Sequence, residues 1–268
     1  GLGVVAPKHQ PIFAVASHKN TNSSGLDSDI TYELDDHGNV ISASGTSSRN
    51  KRDENGKLTD EVEEYSFTTT YTIDGNGGRT DWETDADNDK YSNKGHYDLE
   101  FNDDGTLAKQ VVTNPDDDTE GSTAEYEYDA DGNLTKQTET NPSNDGSSDY
   151  VMTTTYNADG FVTEIDDTGG SFTSTSTYEY ETDDEGTVTA ANILDDYGTG
   201  QPFHSRIEFE HDDDGNISKV TTKTETYTGA SDNSKISYQT SANSEYTYQR
   251  VSDPSDAAVF YASIKPIW

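Results

Sequence analysis

Tyr126-Glu127-Tyr128-Asp129-Ala130-Asp131-Gly132-Asn133-Leu134 decides how this chain is read, because its pattern returns along most of the length. It has the form of a tight hairpin turn between two strands. An Asp or Asn three residues before a Gly suits a type I turn, and the Gly supplies the left-handed residue that closes a three-residue hairpin loop. Tyr126 and Tyr128 lead in at period two and Leu134 leads out. With Asp129 opposite Asn133, the expected cross-strand pairs are Tyr128 with Leu134 and Tyr126 with Lys136, all on one face.

The same turn ends at Gly38, Gly56, Gly77, Gly105, Gly132, Gly160, Gly186 and Gly215. Two residues after each Gly stand Val40, Leu58, Arg79, Leu107, Leu134, Val162, Val188 and Ile217, so Arg79 alone breaks an apolar rule. From Gly77 onward the separations are 28, 27, 28, 26 and 29 residues, a period that marks a repeat architecture, whereas the first two, 18 and 21, are shorter. A period of that length holds two strands, the tight turn and a looser return. Clusters such as Asn114-Pro115-Asp116-Asp117-Asp118 and Asn141-Pro142-Ser143-Asn144-Asp145-Gly146 provide the returns. Between them Tyr150, Met152 and Tyr156 alternate on one face, as do Phe172, Tyr178 and Tyr180, and Phe203, Ile207 and Phe209. Glu125, Glu127, Glu179 and Glu208 point the other way, and no stretch sustains a helical period.

Composition agrees with a thin, one-sided core. Only 28% of the 268 residues are hydrophobic, and Tyr, at 17, far outnumbers Phe and Trp. Lys plus Arg is 17 against 53 Asp plus Glu, a net charge of −36 that repels a phosphate backbone or an anionic membrane, so nucleic acid is excluded as a partner. Without Cys there is no disulfide, thiol nucleophile or thiolate metal site. No apolar run is long enough for a membrane-spanning helix, and Leu2 to Val5 is too short to be a signal peptide.

Three regions follow. Residues 1–29 are an N-terminal arm in which Ile12 to Ala16 is an expected edge strand and Ser17 to Ser28 a polar linker. Residues 30–250 are the hairpin repeats, ending in a polar strand pair at Ile217 to Thr228 and Lys235 to Thr240 and an unfinished unit at Tyr246 to Tyr248. Residues 251–268, with Val259-Phe260-Tyr261 and Ile264 to Trp268, are an apolar cap for the open end of the array, or alternatively a tail that docks on a partner.

Tyr126 to Leu134 resembles the tyrosine-aspartate (YD) repeat of the RHS family, with looser copies at Leu99 to Leu107 and Phe209 to Ile217. The likeness covers most of Tyr32 to Tyr248. It implies a continuous strip of antiparallel hairpins and a bacterial surface or secreted location, including anchorage by lipid through a segment outside this sequence. The chain is much shorter than the family's toxin-enclosing shells and lacks the Asp-Pro-rich motif that precedes a toxin domain, so no toxin activity is implied.

Asp85, Asp87 and Asp89 present alternate carboxylates as a calcium loop does, and they are the one candidate metal site. Lys90 stands in place of the turn Gly and His96 in place of the bidentate Glu, so the motif is incomplete. The other Asp-rich turns are explained by Asp as a turn former. Apart from calcium no cofactor is expected. Trp82, Tyr91 and Tyr97, outside the regular repeat, are the candidate ligand-binding rings, with packing between hairpins as the alternative. The His residues show no metal spacing, no Gly-x-Ser-x-Gly elbow occurs, and no acid pair stands out, so no catalytic residue is nominated.

The expectation is therefore all-β: a repetitive antiparallel β-hairpin meander of roughly fourteen to eighteen strands, strongly twisted and curled into a barrel or half-shell, with no significant helix. The expected function is a non-enzymatic extracellular surface scaffold or adhesion module whose partner is a glycan or a protein. The alternative is a carrier enclosing an apolar small molecule or lipid within the curled sheet. An internal void separates the two, because a scaffold fills its inner face with its own rings.

Overall fold

The computed structural model describes residues 9–143, 145–226 and 237–265. Its sixteen strands are β1 (Ile12–Asn22), β2 (Ser28–Leu34), β3 (Val40–Arg52), β4 (Leu58–Ile73), β5 (Arg79–Ala86), β6 (Asn93–Phe101), β7 (Leu107–Thr113), β8 (Glu120–Tyr128), β9 (Leu134–Asn141), β10 (Tyr150–Tyr156), β11 (Val162–Gly169), β12 (Phe172–Thr182), β13 (Val188–Asp196), β14 (Phe203–His211), β15 (Ile217–Glu225) and β16 (Tyr238–Val251). A 3-10 turn spans Asp89–Tyr91, and one helix, α1, spans Asp256–Ser263. Each strand pairs antiparallel with its neighbours in sequence, and β1 pairs with β16, so the sheet closes into a barrel. The curled hairpin meander takes the closed form of the two expected.

The repeat explains the turns, with one correction to their register. The Asp129 amide donates to Asn133 O at 2.9 Å, and Gly132 takes φ +83°, the left-handed value the turn requires. Tyr128 pairs with Leu134 as expected, but Glu127 then pairs with Lys136 and Tyr126 with Gln137. Thr135 is an extra residue, a β-bulge, so the expected Tyr126–Lys136 pair does not form. The displaced Thr135 hydroxyl donates to Glu127 O at 3.1 Å. Thr59, Thr80, Thr163, Thr189 and Ser218 repeat that bond across their own hairpins. Bulges increase local twist, and here one sits beside every Gly turn of the repeat, which favours closure over a flat strip.

The N-terminal segment also departs from expectation. β1 is not an edge strand ending near Ala16; it runs through the polar linker to Asn22 and is paired on both sides. A closed barrel has no edge, and a strand bonded on both sides keeps its backbone satisfied even where its side chains are Ser, Lys and Asn. Residues 1–8 of the arm, residues 227–228 and 235–236 of the expected polar strand pair and residues 266–268 of the cap lie outside the described residues.

The core is thin and uneven. Leu134, Tyr156, Val162, Tyr178, Ile193, Ile207, Phe209 and Val220 form one buried cluster on the inner face of β9–β15. The outer face is polar: the Arg206 guanidinium meets Glu181 through two bonds of 2.8 Å, Lys223 meets Glu208 at 2.5 Å, and Lys136 meets Glu127 at 3.4 Å. Such charges are costly on a lipid-facing barrel wall, where an apolar belt is required. No helix among the described residues is long and apolar enough to cross a membrane.

Candidate functional site

Strands alternate in direction, so the Gly turns at residues 38, 77, 105, 132, 160, 186 and 215 gather at one mouth of the barrel, and that at 56 stands at the other. Helix α1 lies across the first mouth. Ser255 begins it, its hydroxyl accepting from Ala258 N at 3.1 Å while also bonding Asn39 Oδ1, and its amide donating to His37 O at 3.0 Å. His37 Nδ1 donates to Asp253 O at 2.8 Å, His9 pairs with Asp256, and the Lys265 amide donates to Gly160 O at 3.0 Å. Phe260 descends between Tyr126, edge-on at 5.4 Å between ring centroids, and Tyr128 at 6.4 Å.

The helix divides the mouth into two cavities. The smaller, about 430 Å³, has a floor of Leu99, Phe101, Leu107, Leu134 and Phe260 beneath Asp104, Asp256 and His9. The larger, about 810 Å³, extends into the lumen between the helix and Phe13, Val15, Val40, Tyr126, Phe161, Val188, Ile217 and Tyr248. Among the described residues its charged walls are Arg79 and Lys265 against the carboxylate of Asp159, with His211 beside them. Volumes of this size suit a small organic molecule.

Two groups stand out among the tyrosines that face the lumen and the mouth. Tyr128, Tyr180 and Tyr248 donate to the carbonyls of Leu107, Val162 and Ile217 at 2.7, 2.6 and 2.6 Å, each the apolar residue that follows a turn Gly. Burial pushes the Tyr156 and Tyr248 hydroxyls up to about 12, so they stay neutral donors. Tyr32, Tyr71, Tyr97 and Tyr261 instead surround Arg79, whose guanidinium carbon lies 4.9 Å from the Tyr71 ring centroid and 4.8 Å from that of Tyr261. Burial raises Tyr32 and Tyr97, and the charge of Arg79 pulls both the other way. The break in the apolar rule at Arg79 was the sequence signal for this group.

The residues singled out by sequence lie apart. Trp82 and Tyr97 come together on the inner face, with ring centroids 4.6 Å apart and the indole Nε1 donating to Asn93 Oδ1 at 2.9 Å. The Trp82 ring lies where a side chain at Gly95 would be, which is why that position holds none. Tyr91 belongs to another cluster near the opposite mouth, stacked on Tyr65 at 4.2 Å and bonding Glu63 Oε1 at 2.5 Å. Asp85 is exposed on β5, Asp87 Oδ1 accepts from Ser66 N at 3.0 Å, and Asp89 opens the 3-10 turn. Among the described residues no three acidic or His side chains converge to hold an ion, these included.

No protein-family model matches the chain, and no curated protein sequence does. Among solved structures it is similar to a porin-like protein from Bacteroides uniformis ATCC 8492, at 14% identity over 91% of this chain and 99% of that one, with a TM-score of 0.54. That likeness shows a shared fold. It is also similar to TcdB2-TccC3 without its hypervariable C-terminal region, at 13% identity over 74% of this chain and 12% of that one, and to the Photorhabdus luminescens Tc holotoxin pore, at 13% over 79% and 14%; their TM-scores of 0.34 and 0.32 carry no argument.

Proposed function

We propose that the protein is a non-enzymatic binding barrel that holds a small apolar or amphipathic molecule in the chamber beneath α1, and that it works at the surface of, or outside, a bacterial cell. The chamber of about 810 Å³ carries this reading, because a scaffold needs no cavity of that size beside the helix that crosses its mouth. Its walls are mostly rings and aliphatic side chains with a few polar groups, the usual composition of a small-molecule site. The location rests on the YD-repeat resemblance. The proposed binding calls on no metal ion; Asp85 lies on β5 and Asp89 opens the 3-10 turn.

The neutral dye N-phenyl-1-naphthylamine tests the reading. Saturable fluorescence enhancement is expected with the native protein, and loss of it in Val188→Trp, whose indole fills the chamber, with the far-ultraviolet dichroism unchanged. Absence of binding to the native protein overturns the proposal. A second reading, adhesion through the opposite mouth, is favoured by the exposed rings of Tyr150, Phe172, Tyr197 and Phe203 there. A glycan array on which Phe172→Ala loses signal supports it, and a blank array with the native protein removes it.

A further inference from the structure

Resting on that chamber, we infer that its ligand is an anion, a carboxylate carried on an apolar body, and that Arg79 anchors the head group. Arg79 occupies the place that an apolar residue holds after every other turn Gly, so the repeat alone does not call for it. In a chain with 53 carboxylates its guanidinium makes no hydrogen bond or ion pair among the described residues, whereas Arg206 spends its donors on Glu181, Asn192 and Glu208. Tyr71 and Tyr261 attract the cation through their ring faces, an interaction that uses none of its N–H groups. Those donors form the planar fork that matches a carboxylate.

The surroundings agree. The hydroxyls of Tyr32, Tyr71, Tyr97 and Tyr261 make no hydrogen bond among the described residues, unlike those of Tyr128, Tyr180 and Tyr248. None of them is a buried atom without a partner, so each remains open to a ligand or water. Among the described residues the chamber wall has two fixed positive charges, Arg79 and Lys265, against Asp159, in a protein of net charge −36. Phe13, Val15, Val188, Ile217, Phe260 and Ile264 offer the apolar body a place beyond the head group. A pin for α1 would need only the Tyr261 contact and would leave the ligand charge irrelevant.

The experiment compares dodecanoate with dodecanol, at micromolar concentration and neutral pH, as competitors for bound N-phenyl-1-naphthylamine. Dodecanoate is expected to compete about tenfold more strongly with the native protein, the scale of one charge-assisted hydrogen-bonded contact. In Arg79→Met that preference is expected to fall to parity, each competitor being scored against the variant's own affinity for the dye. Equal competition by the two in the native protein overturns the inference and leaves the chamber reading intact, as does a preference for dodecyltrimethylammonium. Failure of the dye itself to bind is the failure of the chamber reading. Should Arg79→Met not fold, the native comparison decides alone, and Arg79→Lys, which keeps the charge without the fork, is expected to retain only part of the preference.

Discussion

Thr135, Thr163 and Ser218 each send a hydroxyl back to the strand that the chain has just left, filling the gap that a bulge opens in the ladder. Thr163→Val keeps the shape and removes the bond, so it is expected to cost about 1 kcal/mol by urea unfolding. Gly95→Ala places a methyl 1.8 Å from the Trp82 ring and is expected to cost about 1–3 kcal/mol, with part recovered in Gly95→Ala/Trp82→Leu. A double-mutant cycle with no recovery would remove the contact from the account. At this scale the sequence was half legible. The Asp and Gly of each turn could be read from type I turn chemistry, and so could the anomaly at Arg79. The register of Tyr126 could not, because a bulge depends on the opposing strand and not on the alternation within one strand. Neither could the packing of Trp82, because the space its ring fills is left by Gly95 on another strand.

The helix α1 had a local signal, Pro254-Ser255-Asp256, in which Ser255 is the N-cap. It gave no periodic signal because it is short and its apolar residues line cavities on both of its sides, so they do not form a stripe. Its seat should depend on pH. The bond to the Asp253 carbonyl raises His37 above its ordinary value; burial opposes it, and the charges of Asp253, Asp35 and Asp36 add to the rise. A raised histidine stabilises the fold fully below its unfolded value of about 6.5, and that contribution fades as pH rises through the higher folded value. His37→Gln is therefore expected to narrow its melting-temperature deficit to the native protein as pH goes from about 5.5 to about 8.5. A deficit constant over that range would show that the clasp does not titrate. β1 hid for the converse reason: its polar half looked like a linker, and only two paired neighbours make it a strand.

For the whole molecule, charge and shape act together. At −36 the protein repels an approaching carboxylate over long distances, while Arg79 attracts it only at the chamber. Raising salt from about 10 mM to about 150 mM shortens the screening length from about 30 Å to about 8 Å, which removes the far repulsion more completely than the near, partly buried contact. Dodecanoate should bind more tightly at the higher salt, as isothermal titration would show; weaker binding would mean that the anchor itself is solvent-screened. The same screening should raise the melting temperature. The repeat made a curled sheet of about this strand number legible in advance. Closure was not legible, since it is decided by a contact between the two ends of the chain.

That seam sets the order in which the chain can assemble. Every other adjacent pair joins strands consecutive in sequence, so each hairpin can form on its own in microseconds, whereas β1 meets β16 through pairs such as Ser17 with Thr247, 230 positions apart. Until they meet, the strip has two bare edges of matching register, and the β16 of one molecule can accept the β1 of another as readily as its own. Crowded refolding should thus yield end-to-end chains of barrels that dilute refolding avoids, a hazard absent from the finished ring.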